Sequence, residues 1–456
     1  MPEVLLLSCY ELGHQPLTLA WPTAVLQQAG FPVTAVDLSV SDFPARAAAQ
    51  ADVVAISVPM HTALRLGVEA GKKARAANPD AILVYYGLYA WLNRIYLLQN
   101  LADAIIAGEA EVPLLSLVQA IAKGEDWKTV PGITSTEKQA VPYLHRLALP
   151  VPDRSTLPAL NQYARYDDGR SMSLAGYVEA TRGCLHTCHH CPVVPIYHGR
   201  FFAIPLDVVM GDIRQQVMAG AQHITFGDPD FLNGPGHALK ITHALHAEFP
   251  NITFDFTTKV EHIIQHQDKL TEFAQNGCTF IVSAFESTND NVLARLNKGH
   301  TLADMETAVQ LLAKAGIAIQ PTWVAFTPWT TMDDYLHMLA WIRQHNLVYH
   351  VPVVQLAVRL LIPPESELLQ HDDAAAWLGA LDAENFTYHW QHADPRMDQL
   401  HKMVIHIAEE ESHSPLAAFA KVEEAAYRLA GLPLPQGETA VPPTLPPPRL
   451  TEDWFC

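Results

Sequence analysis

Short apolar runs at residues 4–7, 33–38, 53–58, 82–86 and 104–107 are separated by stretches long enough for helices. That alternation predicts βαβ units and a parallel sheet. Each run gives way to residues suited to a ligand edge: Ser8-Cys9-Tyr10-Glu11-Leu12-Gly13-His14, Ser57-Val58-Pro59-Met60-His61, Tyr86-Gly87-Leu88 and Gly108-Glu109. Ligands of open α/β sheets sit outside the carboxyl ends of the strands. Between about residues 131 and 172 the periodicity fades into Pro142, Pro150, Pro152 and Pro158 with scattered charges, which predicts a linker wrapped on the surface. Strands are then expected at 176–180, 223–226, 253–257, 280–284, 317–325 and 353–361, with crossover helices between them. Six such units make a partial or complete β/α barrel. Helices are expected over 374–381 and 397–431, followed by a Pro-rich stretch at 432–448.

The predicted fold class is therefore α/β, divided into five parts: a Rossmann-like domain (1–128), a linker (129–172), a barrel of the partial (β/α)6 type (173–370), a helical region (371–431) and a Pro-rich tail (432–456). The length of 456 residues agrees with several cores at roughly 150 residues per domain. Lys plus Arg number 29 against 48 Asp plus Glu, a net charge of −19, which argues against a nucleic-acid partner. No apolar run reaches the roughly 20 residues of a membrane span, and the amino terminus lacks the basic and apolar regions of an export signal. A cytoplasmic location without membrane partners is expected.

Composition is less informative than the cysteines. Of Cys9, Cys184, Cys188, Cys191, Cys278 and Cys456, three lie within eight residues, unlike a spread disulfide framework. In Arg182-Gly183-Cys184-Leu185-His186-Thr187-Cys188-His189-His190-Cys191-Pro192 the spacing is C-x3-C-x2-C. Three thiolates leave one iron of a cubane [4Fe–4S] cluster without a protein ligand. Zinc is the competing reading, because His186, His189, His190 and His198 are close by and zinc accepts mixed ligands. A single asymmetric triplet after a first barrel strand favours the cluster. Cys9 and Cys278 are read as structural.

The triplet and its setting resemble the radical S-adenosylmethionine (SAM) superfamily. That resemblance implies an open iron that chelates SAM, with His190 beside the cofactor. Phe226-Gly227-Asp228-Pro229-Asp230-Phe231 resembles the second-strand segment that holds the methionine amino group, which implicates Gly227, Asp228 and Asp230; a plain turn is the alternative. Lys259, at the third-strand end, is placed near the carboxylate or in an exposed turn. Ser283-Ala284-Phe285-Glu286-Ser287, followed by Asn297-Lys298-Gly299-His300, resembles the fourth-strand G-x-E-S segment with Ala284 in place of glycine. It brings Ser283 and Glu286 to the ribose or methionine. Gln320-Pro321-Thr322-Trp323 and Phe326-Thr327-Pro328-Trp329 resemble the fifth strand and its loop, where adenine contacts occur; Trp323 and Trp329 are equally suited to core or lid.

The amino-terminal module resembles the cobalamin-binding domain of one branch of this superfamily, in architecture more than in ligands. Glu11-Leu12-Gly13-His14-Gln15 lacks the D-x-H-x-x-G spacing, and Ser57-Val58-Pro59 and Gly87-Leu88 stand where S-x-L and G-G are usual. Cobalamin and a domain that has lost it both remain open. The ending Trp454-Phe455-Cys456 resembles the start of the tail of a radical SAM family that ends in Cys-Cys-Ala-Glu-Pro, or the same with selenocysteine second. The resemblance implies a UGA codon after Cys456 and a thiol that returns to the barrel mouth as a catalytic group.

Together these readings predict an enzyme that binds a [4Fe–4S] cluster and SAM, cleaves SAM reductively with electrons from a donor such as flavodoxin or ferredoxin, and acts on a small molecule. Transfer of the 3-amino-3-carboxypropyl group to a thiophilic acceptor such as arsenic is one alternative, and a non-catalytic cobalamin or metal carrier is another.

Overall fold

The structure, a computed structural model, describes residues 1–410, 414–435 and 445–452. The first unit is a sheet of β1 (Val4–Ser8), β2 (Val33–Asp37), β3 (Val53–Ser57), β4 (Ile82–Tyr86), β5 (Ala104–Ile106) and β6 (Ile133–Thr134). Its order is β2-β1-β3-β4-β5-β6, parallel except for β6. β1 and β3 are buried at every position, as continuous apolar strands covered on both faces must be.

The second unit contains β7 (Arg165–Asp167), β8 (Met172–Val178), β9 (Thr181–Gly183), β10 (Phe201–Ala203), β11 (His223–Phe226), β12 (Thr253–Thr257), β13 (Cys278–Glu286) and β14 (Ala318–Trp323). β8, β11, β12, β13 and β14 run parallel in that spatial order, with a helix in each crossover. The right-handed βα repeat curls this sheet into a barrel whose strand carboxyl ends converge on one mouth.

Three expectations are corrected. The sixth strand, expected at 353–361, is a 3-10 turn over Val353–Ala357 followed by one bridge, Phe326 to Arg359; Pro352 and the Gln355 side chain, which accepts from the Trp323 N–H, replace strand pairing. The helix expected at 374–381 is a short 3-10 turn, Ala374–Ala376, leading into a hairpin of β15 (Leu378–Asp382) and β16 (Thr387–Trp390), because the turn at Asp382-Ala383-Glu384-Asn385 favours reversal over helix. The linker does not lie on the surface throughout. Arg154, 8% exposed, is bidentate to Asp212 at 2.6 and 2.8 Å and donates to the Tyr177 carbonyl and to Gln15, bolting the two units together.

The tail returns as expected, but to an edge. β17 (Arg449–Leu450) pairs antiparallel with β7, and the Pro448 carbonyl accepts from Gln320 Nε2 at 2.8 Å on β14. The arm thus spans the open side of the partial barrel, with Leu450 against the interior cluster of Tyr166, Phe280 and Val282. Glu452 then crosses onto the first unit, bonded by Tyr10 and lying over Gly13. Cys456 lies outside the described residues.

Candidate active site

The cysteine loop follows β9 at the barrel mouth. Gly183 has φ +77°, and a Cβ there would meet the Arg200 carbonyl at 2.4 Å and Tyr197 at 2.5 Å, so the turn into Cys184 requires glycine. Cys184 and Cys188 are buried and Cys191 is half-buried; none is in a disulfide. Burial, with Asp230 next, raises the Cys184 thiol to about 11; burial, with Cys188 next, raises Cys191 to about 12. Closely grouped thiols raised in this way need a cation to ionise, and a metal cluster supplies one. Lys298, 3% exposed, also lies in the field of Cys188 and Cys191. The donor set fits a three-thiolate cluster.

Glu286 sits at the end of β13 with φ +66°, directed back into the mouth. Lys298 Nζ lies 3.0 Å and His190 Nε2 3.2 Å from its Oε1. Burial opposes its ionisation, yet Lys298 and then His190 hold the carboxyl at about 2. The hydroxyl of Thr322 on β14, in register with Ala284, and the Nδ1 of His190 are buried without a hydrogen-bond partner among the described residues. The Ser283 hydroxyl, in register with Pro321, is also unpartnered but lies on the opposite face of the sheet with Ile281 and Phe285, a departure from its expected ligand contact. Buried polar atoms normally find partners, so this side of the mouth is built for a polar ligand.

The second-strand segment is more internally committed than its sequence suggests. A Cβ on Gly227 would lie 2.1 Å from the Tyr177 phenol. Asp228 accepts from the Ala180 N–H at 3.0 Å and the Thr181 hydroxyl at 2.5 Å, anchoring the entry to the cysteine loop, while burial raises it to about 7. Asp230 accepts from Thr258 Oγ1 at 2.7 Å and from the Lys259 N–H at 3.2 Å, and faces His186 and His262. Lys259 Nζ is 3.2 Å from His186 Nδ1 and 3.3 Å from Glu261. Gln320 is engaged with the tail rather than with the mouth, a departure from its expected adenine contact. Trp323, 1% exposed, belongs to the core. Trp329 is half-buried, edge-on to Trp377 and under the Arg295 guanidinium.

Sequence reasoning missed a second cluster, between the two units. Arg182, two residues before Cys184, reaches Glu109 and Glu111 at 2.7 Å each and Glu179 at 3.3 Å, and its guanidinium lies 4.3 Å from the Trp21 ring centroid. The Tyr197 hydroxyl donates to Glu109 at 3.0 Å. Burial, partly offset by Arg182, raises Glu179 to about 7 and also raises Glu109; Glu11, nearby, is pushed to about 8 by burial. The arginine beside the cysteines was the available signal, but two of its three partners, Glu109 and Glu111, stand some 70 residues earlier in the chain.

Residues 178–341 match the radical SAM superfamily, so this barrel is a radical SAM domain. The chain is 27% identical over 183 residues to a tRNA-2-methylthio-N(6)-dimethylallyladenosine synthase of Chlorobium phaeobacteroides, covering 38% of this chain and 41% of the relative. It is 21% identical over 337 residues to the hopanoid C-3 methylase of Methylococcus capsulatus, covering 72% and 64%. In architecture it resembles the solved cobalamin-dependent SAM radical enzyme OxsB with aqua-cobalamin bound: TM-score 0.73 at 15% identity, over 94% of this chain and 72% of that one. The likeness to that enzyme extends over both units of the fold. Among the described residues no helix is long and apolar enough to cross a membrane.

Proposed function

We propose that this chain is a radical SAM enzyme in which Cys184, Cys188 and Cys191 hold a [4Fe–4S] cluster and the adjoining mouth binds SAM for radical chemistry on a small molecule. The reading rests on three grouped thiols beside an ionised Glu286, with the Thr322 hydroxyl and the Nδ1 of His190 buried and without a partner among the described residues. The bound cluster supplies one electron to the sulfonium of SAM. Lys298 keeps Glu286 charged, so that Glu286 can accept from ligand hydroxyl or amino groups. Thr322 offers a hydroxyl from β14, and His190 presents a ring edge between cluster loop and Glu286. Asp228 fixes the backbone that leads into Cys184, and Gly227 admits Tyr177 against the mouth. An external one-electron donor is part of this proposal.

The carboxyl edge of the first sheet abuts the barrel, but here it is occupied by the chain itself. His14 stacks on Tyr177 at 4.3 Å and is held at about 3 by burial, and Glu452 lies over Gly13. As folded, that edge does not fit a corrin.

Anaerobic reconstitution with iron, sulfide and reductant should give about four irons per chain, and chromatography of the nucleoside products should show SAM cleavage. 5′-Deoxyadenosine would report the usual bond, and 5′-methylthioadenosine would report 3-amino-3-carboxypropyl transfer. Cys188→Ala should abolish both iron binding and cleavage while the first unit stays folded. Cleavage that survives in Cys188→Ala, or a wild-type cluster that never cleaves SAM, overturns the reading in favour of a carrier.

A further inference from the structure

Beside the cysteine loop, a second donor set converges. His186 Nε2 lies 3.2 Å and His262 Nδ1 3.0 Å from the same oxygen, Asp230 Oδ2, and the three atoms fall within 4.8 Å of one another. Asp230 and His262 are buried, and the His186 side chain is 13% exposed. Both imidazole nitrogens are buried yet lack a properly directed hydrogen bond. Asp230 Oδ2 also receives the Lys259 N–H, so three nitrogens converge on one oxygen.

A divalent ion resolves the arrangement. With metal–nitrogen and metal–oxygen bonds of about 2.0–2.1 Å in tetrahedral geometry, adjacent donor atoms stand roughly 3.3 Å apart, close to the spacing here. Two imidazoles and one carboxylate suit Zn2+, Co2+ or Fe2+ rather than Mg2+ or Ca2+. The surroundings also fit. His186 Nδ1 accepts from Lys259 Nζ at 3.2 Å, and Lys259 in turn pairs with Glu261 Oε2, itself 3.8 Å from Nδ1. On metal binding at Nε2, Nδ1 would pass from Lys259 to Glu261, the carboxylate able to orient the imidazole. Asp230, Glu261 and Lys259 together leave one net negative charge for a dication. Glu261 is 45% exposed, which leaves an entry path and room for a fourth ligand.

We propose that His186, Asp230 and His262 form a mononuclear site for a divalent transition ion, separate from the three cysteines. Its ligands come from three places: His186 from between Cys184 and Cys188, Asp230 from the end of β11, and His262 from the first turn of the helix Val260–Gln265 after β12. The ion would tie the cluster loop to two strand ends and fix where Cys184 and Cys188 stand.

The test uses Co2+ as the probe on the reconstituted full-length protein, with metal content measured after gel filtration. About one cobalt per chain is expected beyond the four cluster irons. His262→Leu and His262→Gln should lose that cobalt at least about tenfold while retaining iron. Cys188→Ala should show the reverse, losing iron and keeping cobalt, with ligand-field bands but no thiolate charge-transfer band. The proposal fails if the holoenzyme retains no cobalt, if both His262 variants keep it, or if it leaves with Cys188. Should the His262 variants not fold, the Cys188→Ala spectrum decides: nitrogen and oxygen ligation supports the site, and thiolate ligation overturns it.

Discussion

Two buried carboxylate clusters flank the cysteine loop, and they are built on opposite electrostatic plans. At the barrel mouth one carboxylate, Glu286, has Lys298 and His190 to itself and is held at about 2. In the seam between the units, three carboxylates share Arg182 and Glu179 rises to about 7, while Glu11, in the field of Asp37 and Glu179 rather than of Arg182, is raised to about 8 by burial. Burial opposes ionisation in both places. The number of cations per carboxylate decides the outcome, so the mouth presents fixed charge at neutral pH while the seam holds protons it can release. A ligand-binding wall benefits from the first arrangement. The second makes the contact between units depend on pH.

The sharpest way to break this contrast is Lys298→Met. It leaves Glu286 buried beside a hydrophobic side chain, and removing one partner of a buried pair costs about 3–5 kcal/mol. SAM-dependent cleavage should be lost and thermal stability should drop. A variant with wild-type melting and cleavage would show that Glu286 is solvated and that the mouth is not the site.

Arg182→Lys should have a smaller effect. A lysine retains one charge but cannot reach Glu109, Glu111 and Glu179 in the fork geometry of a guanidinium, and it gives up planar stacking on Trp21. A loss of about 1–3 kcal/mol is expected, greater at pH 8 than at pH 6 because the freed carboxyls can protonate at the lower pH. Cluster content should fall with it, since Arg182 leads directly into Cys184. Equal melting curves for the two proteins at both pH values would remove the seam from the account of how the loop is held.

Much of the fold was legible because buried parallel strands write themselves as apolar runs. All five strands of the first parallel sheet and the barrel strands through β14 fall where residues 4–7 through 317–325 predicted them. The sixth barrel strand failed because 353–361 is apolar without being extended: Val353, Leu356 and Ala357 are buried by a turn instead of by a ladder. The cysteines and Glu286 were legible from spacing and motif. The Arg182 seam, the Arg154 bolt and the His186-Asp230-His262 convergence were not, because each joins segments that only the packing of one unit on the other, or of one strand end on the next, brings together. Gln320 shows the converse error, a residue assigned by its strand and claimed by the tail.

The finest test of the contrast is the pH dependence of stability. Glu11 has an ordinary carboxyl pKa of 4.5 and about 8 in the fold, so between those values the folded state binds more protons than the unfolded state. Stability therefore falls as pH rises from about 4.5 toward 8, and Glu179 acts in the same sense up to about 7. His14 and His300 have the opposite sign. Burial lowers them from 6.5 to about 3 and about 4, so the stability they contribute above 6.5 is lost as pH falls below it. Between about pH 4.5 and 6.5 the two limbs oppose each other. Above 6.5 only the falling limb remains, joined by Asp228, which burial raises from 3.8 to about 7, so the melting temperature should decline from about pH 6.5 to 8. Glu11→Gln removes a titrating group whose folded state prefers to be neutral, so it should raise the melting temperature by a few degrees at pH 8 and leave it unchanged at pH 5. Glu286→Gln should show no such gain at pH 8, because that carboxylate is already paid for by Lys298. If the two glutamine variants respond alike, the mouth and the seam differ in position only, and the ratio of cations to carboxylates is not what distinguishes them.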